Sequence, residues 1–402
     1  METEKRNLKK FFSIDQPLSE VSAVSKTSEL DRAVFKKYFD ASNRPFSQIR
    51  TNPTMIVGRR GSGKTDALMS HQFRDDWETR YRPIVLFNAD GAESFFSSIV
   101  HLINDQIHSQ LPTPMVESVS KLWTYVFGII LLHQVSSVDI DLLVDPSEKY
   151  AIRDFVDQHG DLGGKTEPSE ITYEIVITLL EKYDNLPSAR KKLGFFTGCT
   201  NLIAKSEHYE KMLTTVYNSL RESNCTAVIL IDSFEEFNVV DEYSHLALSG
   251  LLRSVARFHE SNTPVEMRCS IPAEAYFYVA DISSNRIKDF QKQTTLHWSA
   301  MEIMGLCATR FAAYIELNLP EHVSELVTAH DLTSRKGISD FWGNFLPRTV
   351  PNLQPGLEEE TIPYLLRHTQ LLPRHMILLL NRIFSAHLVS GNPIYELSLI
   401  HI

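Results

Sequence analysis

Gly58-Arg59-Arg60-Gly61-Ser62-Gly63-Lys64-Thr65 is the stretch whose reading decides the fold. It satisfies every fixed position of the pattern G-x-x-x-x-G-K-[ST]. The flanking residues agree with it. Thr54–Val57 (TMIV) is a short apolar run suited to a strand, and Asp66–Phe73 (DALMSHQF) reads as a helix. A strand, a Gly-rich loop and a helix in that order make a cradle for an anion. Glycines let the backbone wrap the anion with N–H groups turned inward, and the helix adds its positive dipole end. The candidate phosphate-binding residues are therefore Gly58, Arg59, Arg60, Gly61, Ser62, Gly63, Lys64, Thr65 and, at the helix start, Asp66. In this pattern Lys64 reaches the β- and γ-phosphates and the Thr65 hydroxyl ligates Mg²⁺.

Working outward, Ile84–Phe87 reads as a second strand, and Ala227–Ile231, ending on Asp232, as a third. A continuous β-branched run like the third suits a strand buried on both faces. Val265–Ile271 and Thr294–Trp298 are the fourth and fifth strands. Tyr243–His259, between the third and fourth strands, reads as a helix. Strands alternating with helices predict a parallel α/β sheet. An insert over about 91–224 has mostly helical periodicity and includes a buried helix at Leu122–Val135. Beyond Ser299 the pattern is wholly helical, strongest at Met301–Leu317, Leu357–His368 and Pro373–Leu388. Gly163-Gly164-Lys165-Thr166 imitates half of the first motif, but the residue five before Gly164 is His159 and no strand precedes it. It reads as a surface turn.

Asp232, at the end of a buried strand, stands where a carboxylate can hold Mg²⁺ opposite Thr65. Glu235 and Glu236 follow closely, and either can orient or deprotonate an attacking water. Acids also favour helix starts, so the pair gains its catalytic meaning from the phosphate loop. The absence of an N-K-x-D or T-K-x-D guanine-reading motif favours ATP over GTP.

Together these segments resemble the AAA+/STAND branch of P-loop NTPases, within the ASCE division. Ile231-Asp232-Ser233-Phe234-Glu235-Glu236-Phe237 is similar to the extended Walker B motif of NACHT-type ATPases. The resemblance implies a five-stranded parallel P-loop NTPase sheet with a helical insert and a C-terminal all-helical lid. It implies Asp232 as the Mg²⁺ acid and Glu235 or Glu236 as the water-activating acid. One departure is plain: Cys269-Ser270-Ile271-Pro272 stands where that group has Thr-Ser-Arg-Pro, so Ile271 replaces a γ-phosphate-sensing arginine. Ser270 or another residue would then do the sensing. Leu372-Pro373-Arg374-His375 opens a helix in a setting similar to the AAA+ sensor-2 motif, which makes Arg374 a candidate for the γ-phosphate. Arg310, in the first lid helix, is a weaker candidate. The implied function is an ATPase whose ATP/ADP state sets a switch, as in bacterial defence or stress signalling. A DNA-handling AAA+ ATPase and a non-hydrolytic nucleotide-binding scaffold are the alternatives. A homo-oligomer and a protein effector both stay open as partners.

The chain has 402 residues, 43% of them hydrophobic, and a formal net charge of −10. The hydrophobic share is ample for a core. The acidic balance argues against a broad nucleic-acid-binding surface without excluding a local basic patch. The isolated cysteines Cys199, Cys225, Cys269 and Cys307 suggest neither a zinc site nor a disulfide framework. The charged start METEKRNLKKFF lacks a signal-peptide core, and no apolar run approaches the ~20 residues of a membrane span, so a cytoplasmic location is expected. The expected organisation is a flexible segment over 1–28, an ATPase core over 29–299 and a lid over 300–396. Residues 397–402 (LSLIHI) read as a non-native tail, the translation of a sequencing-adapter end, with the natural protein continuing past Glu396.

Overall fold

The computed structural model describes residues 18, 53–69, 81–87, 99–100, 112–137, 145–158, 168–185, 207–232, 242–260, 263–276, 293–351 and 356–390. The helix expected at Leu30–Phe39, the Gly163–Thr166 turn, Cys199, Glu235, Glu236 and the 397–402 tail lie outside the described residues. Contacts divide the chain into two compact units. Among the described residues, one holds 18, 58–69 and 294–390, and the other holds 53–57 and the stretches between 81 and 293.

The second unit is α/β. Its strands are β1 (Met55–Gly58, whose last residue opens the loop), β2 (Tyr81–Phe87), β3 (Thr226–Asp232) and β4 (Val265–Pro272). They form a parallel sheet in the order β2-β3-β4-β1, with the short β5 (Gln293–Thr295) next in that order. β3 pairs with β2 on one side, Ile84 opposite Ile229, and with β4 on the other, Ile229 opposite Met267. Flanked on both edges and covered on both faces, Ala227–Ile231 is buried throughout. This is why an unbroken β-branched run, rather than an alternating one, occupies it. β2 and β4 extend beyond their expected cores, beginning at Tyr81 and ending at Pro272, whereas β5 stops at Thr295 and does not reach the expected Trp298.

The helix after the loop is α1 (Lys64–Met69), which belongs to the first unit. Helices of the second unit are α2 (Pro112–Ser137), α3 (Pro146–Asp157), α4 (Pro168–Asp184), α5 (Glu207–Glu222) and α6 (Glu242–Glu260). α2 is its central post. Leu122, Trp123 and Tyr125–Leu132 are all buried, because α3, α4, α5 and α6 pack around it. The Trp123 indole N–H donates to the Ala247 carbonyl of α6 at 2.9 Å, giving the one polar atom of that ring a partner in the core. Among the described residues no helix is long and apolar enough to cross a membrane.

The later part of the first unit contains α7 (Ala300–Asn318), α8 (Arg335–Gly343), α9 (Thr361–His368) and α10 (Pro373–Ser390). A capping box starts α7: Ser299 Oγ accepts from the Glu302 N–H, and the Glu302 carboxylate accepts from the Ser299 N–H at 2.8 Å. Phe311 is the hub of the core. It stacks on Trp342 (5.9 Å between ring centres) and Phe384 (5.1 Å) and meets Phe345 edge-on.

One expectation needs correction here. The region after Ser299 is not wholly helical: β6 (Thr349–Pro351) and β7 (Glu358–Glu360) form an antiparallel pair, with Val350 opposite Glu359. Helix α9 accordingly begins at Thr361, not Leu357. Pro347 and Pro351 bar a helix through the first arm, and a strand partner then becomes available to Glu358–Glu360. The Thr349 hydroxyl donates to the Glu358 carboxylate at 2.7 Å, and Arg367 from α9 binds both Glu359 oxygens at 2.7 and 3.0 Å. Of residues 1–28 the structure describes Leu18 alone, which is fully buried and hydrogen-bonded through both its N–H and its carbonyl.

Candidate functional site

The Gly58–Thr65 loop is a tight turn set by its glycines. Ser62 N–H donates to the Arg59 carbonyl at 3.0 Å, and Ala67 N–H to Gly63 O at 2.9 Å, where α1 begins. Gly61 and Gly63 have φ of +82° and +88°, a region that costs other residues strain. Gly58 is required for another reason. A Cβ there would lie 2.4 Å from Ser62 Oγ and 3.3 Å from Lys64 Cγ, so the loop's interior has no room for one. Around Gly63, by contrast, an added Cβ would meet nothing within 4 Å.

Lys64 is 4% exposed and donates from Nζ to the Arg59 carbonyl at 3.3 Å. An ammonium turned back into its own loop is held where an anionic ligand can take over that donor. Ser62 Oγ is buried and has no hydrogen-bond partner among the described residues. A buried hydroxyl of this kind costs about 1–3 kcal/mol unless something satisfies it. A buried cation, an orphaned hydroxyl and open space at Gly63 fit a bound phosphate group. Thr65 and Asp66 are half-buried in the first turn of α1, and Arg59 and Arg60 are exposed.

Residues far along the chain brace the same loop. The Trp298 indole N–H donates to the Ser62 carbonyl at 2.8 Å in a buried contact. Arg374 N–H donates to the Gly61 carbonyl at 3.3 Å, and the Arg374 stem lies over Gly61, where an added Cβ would be 3.2 Å from Arg374 Cβ. Arg59 donates to the Gln370 side-chain oxygen at 3.0 Å. Gln370 and its neighbour Leu371 have φ of +52° and +54°, which for non-glycine residues costs of order 1–3 kcal/mol each. The turn between α9 and α10 is thus held in a strained shape on the loop. The sequence reading singled out Arg374, but not Trp298 or Gln370. The one signal for Trp298 was its place just before the α7 capping box. Trp298→Phe should destabilise the chain by about 1–3 kcal/mol, since it leaves the buried Ser62 carbonyl without its donor. A lower midpoint in urea would show this.

In the second unit, Asp232 ends β3 and accepts a hydrogen bond from the Ser270 hydroxyl of β4. One residue earlier, Cys269 N–H donates to the carbonyl of Thr54, just before β1, at 3.0 Å. Burial, with the Asp232 carboxylate nearby, pushes the Cys269 thiol up to about 12. It is therefore an inert core thiol at neutral pH. Ile271 is fully buried. Asp232 and Ser270–Ile271 lie at the carboxyl ends of β3 and β4, and the carboxyl ends of strands are where open parallel sheets bind ligands. Arg310 has no exposed guanidinium to offer: it is 4% exposed and donates from Nε to the Leu18 carbonyl at 2.8 Å.

Comparison of the chain with protein-family models, with curated proteins and with solved structures found no match.

Proposed function

We propose that this chain is an ATP-binding and ATP-hydrolysing P-loop ATPase of the AAA+/STAND type, acting as a nucleotide-dependent switch. The observation that supports this best is the Gly58–Thr65 turn, with a buried Lys64 ammonium folded onto its own loop. On this reading Lys64 exchanges the Arg59 carbonyl for the β- and γ-phosphate oxygens. The Thr65 hydroxyl and the Asp232 carboxylate would hold Mg²⁺. When bound, Mg²⁺ supplies neutralising charge to the phosphate oxygens. Ser270 fixes the Asp232 carboxylate, which suits a group that must present a defined oxygen to a metal. Glu235 or Glu236 orients the attacking water. Hydrolysis removes the γ-phosphate, and the turn that presses Arg374 onto the loop then loses or changes its ligand. A two-state lid of this kind responds to whichever nucleotide binds its two states unequally.

Arg374→Ala tests the lid half of the proposal. If the guanidinium binds the γ-phosphate, the variant loses ATP affinity selectively. One charge-assisted hydrogen bond is worth roughly 1.5–3 kcal/mol, so ATP should weaken about 10- to 100-fold while ADP changes little. Titration of both nucleotides into both proteins measures this, and equal weakening of ATP and ADP would contradict it. The replacement of a sensing arginine by buried Ile271 strengthens the case for Arg374 as the cation that reads the third phosphate.

A further inference from the structure

Gln370 and Leu371 follow the Thr369 cap of α9, and both have left-handed φ, +52° and +54°. That position after a helix belongs by preference to Gly or Asn, which take the conformation at little cost. Asn224, the other non-glycine residue with positive φ among the described residues, obeys the preference. Gln370 and Leu371 do not, and both side chains are exposed, so packing offsets little of the strain. The phosphate loop holds them instead. Arg59 donates to the Gln370 side-chain oxygen at 3.0 Å and to the Gln370 backbone carbonyl at 3.5 Å. Just past the turn, Arg374 N–H donates to the Gly61 carbonyl at 3.3 Å. Within the turn, Leu372 N–H donates to the Thr369 carbonyl at 3.0 Å. Arg59 is also tied to the interior of its own loop. Its carbonyl accepts from Lys64 Nζ at 3.3 Å and from Ser62 N–H at 3.0 Å. One residue therefore joins the buried ammonium to the strained turn, with its carbonyl on one side and its guanidinium on the other.

We propose that the α9–α10 turn is a spring and that Arg59 is its catch, released when Lys64 gives up the Arg59 carbonyl for a phosphate oxygen. The release step rests on the nucleotide reading above, whereas the catch does not. Without the ammonium, the Arg59 backbone loses a charge-assisted anchor, and the guanidinium loses its fixed reach to Gln370. Gln370 and Leu371 then leave the left-handed region, and Arg374 is freed from Gly61. The loop thus sets the shape of a turn 311 residues away in sequence. The stored strain separates two states of that turn, and a ligand that meets them unequally shifts the balance between them.

Hydrogen exchange at the Leu372 amide reads the turn, because that N–H is bonded across its closed shape. In the full chain without nucleotide, Arg59→Ala should speed this exchange at least about tenfold. Adding Leu371→Gly to Arg59→Ala should return it to within about threefold of wild type, since glycine takes the left-handed φ without strain and needs no catch. Lys64→Met, also without nucleotide, should speed exchange at least about fivefold, and MgATP added to wild type about tenfold. A contact of merely structural value would respond to neither the glycine rescue nor the Lys64 variant. Unchanged exchange in an Arg59→Ala chain that melts cooperatively, or no recovery with Leu371→Gly, would overturn the catch. Should Arg59→Ala fail to fold, Gln370→Met removes the side-chain acceptor and carries the same expectation. Unchanged exchange in Lys64→Met, or MgATP that binds by calorimetry yet leaves Leu372 unaltered, would overturn the release step. Failure of MgATP to bind would contradict the nucleotide reading alone, since the Arg59 and Lys64 variants are compared without it.

Discussion

Lys64→Ala should lower ATP turnover by roughly 10²–10³-fold, the usual loss when one preorganised donor to a developing charge is removed. ATP affinity should fall with it, since the ammonium also meets the ground-state phosphates. The fold should survive. Lys64 Nζ donates to the Arg59 carbonyl of its own loop rather than to the apolar core, and Ala is a good helix former at the first residue of α1. Phosphate release and a thermal melt on the same preparation measure both halves. Unchanged turnover in a folded Lys64→Ala chain would remove the phosphate-loop assignment.

Glu235→Gln and Glu236→Gln should differ from each other. Only one carboxylate can face the attacking water, and its loss should cost about 10²–10⁴-fold in turnover. That variant should still bind ATP, because Lys64, Thr65 and Asp232 are intact, and so should accumulate in the ATP state. The other variant should turn over nearly as wild type. On the proposed function, Glu235 is the favoured base. Normal hydrolysis by both variants would place the base elsewhere. Asp232 provides an internal contrast. Asp232→Asn keeps the oxygen that accepts from Ser270 but loses the charge that holds a divalent cation, so its defect should appear as a loss of Mg²⁺ dependence.

What the sequence made legible was local. The run Met55–Gly58, the glycines and Lys64 lie within one short stretch, and each has a backbone or charge requirement readable from residue type alone. Ala227–Ile231 was equally plain, because a strand buried on both faces leaves no alternation to confuse with a helix. The long buried helix α2 was legible at its apolar centre, Leu122–Val135, while its polar ends at Pro112 and Ser137 were not. The features that escaped are long-range. Arg59 and Gln370 are 311 residues apart, Ser62 and Trp298 236 apart, and Leu18 and Asn381 363 apart. Nothing in the local pattern of either partner announces the other. The β6–β7 pair was missed because Glu358–Glu360 has acids suited to a helix start and poor strand propensity. Its pairing is decided by Pro351 and Thr349 on the opposite strand and by Arg367 one turn and more into α9.

The central claim is that Gly58–Thr65 binds a nucleoside triphosphate. Calorimetric titration of MgATP into the wild-type chain, with phosphate release followed on the same protein, tests it most directly. The account predicts saturable binding at one site, weakened when Mg²⁺ is chelated, and slow release of phosphate from the bound ATP. The absence of both binding heat and phosphate release at millimolar MgATP, from a chain that melts as a folded protein, would contradict it.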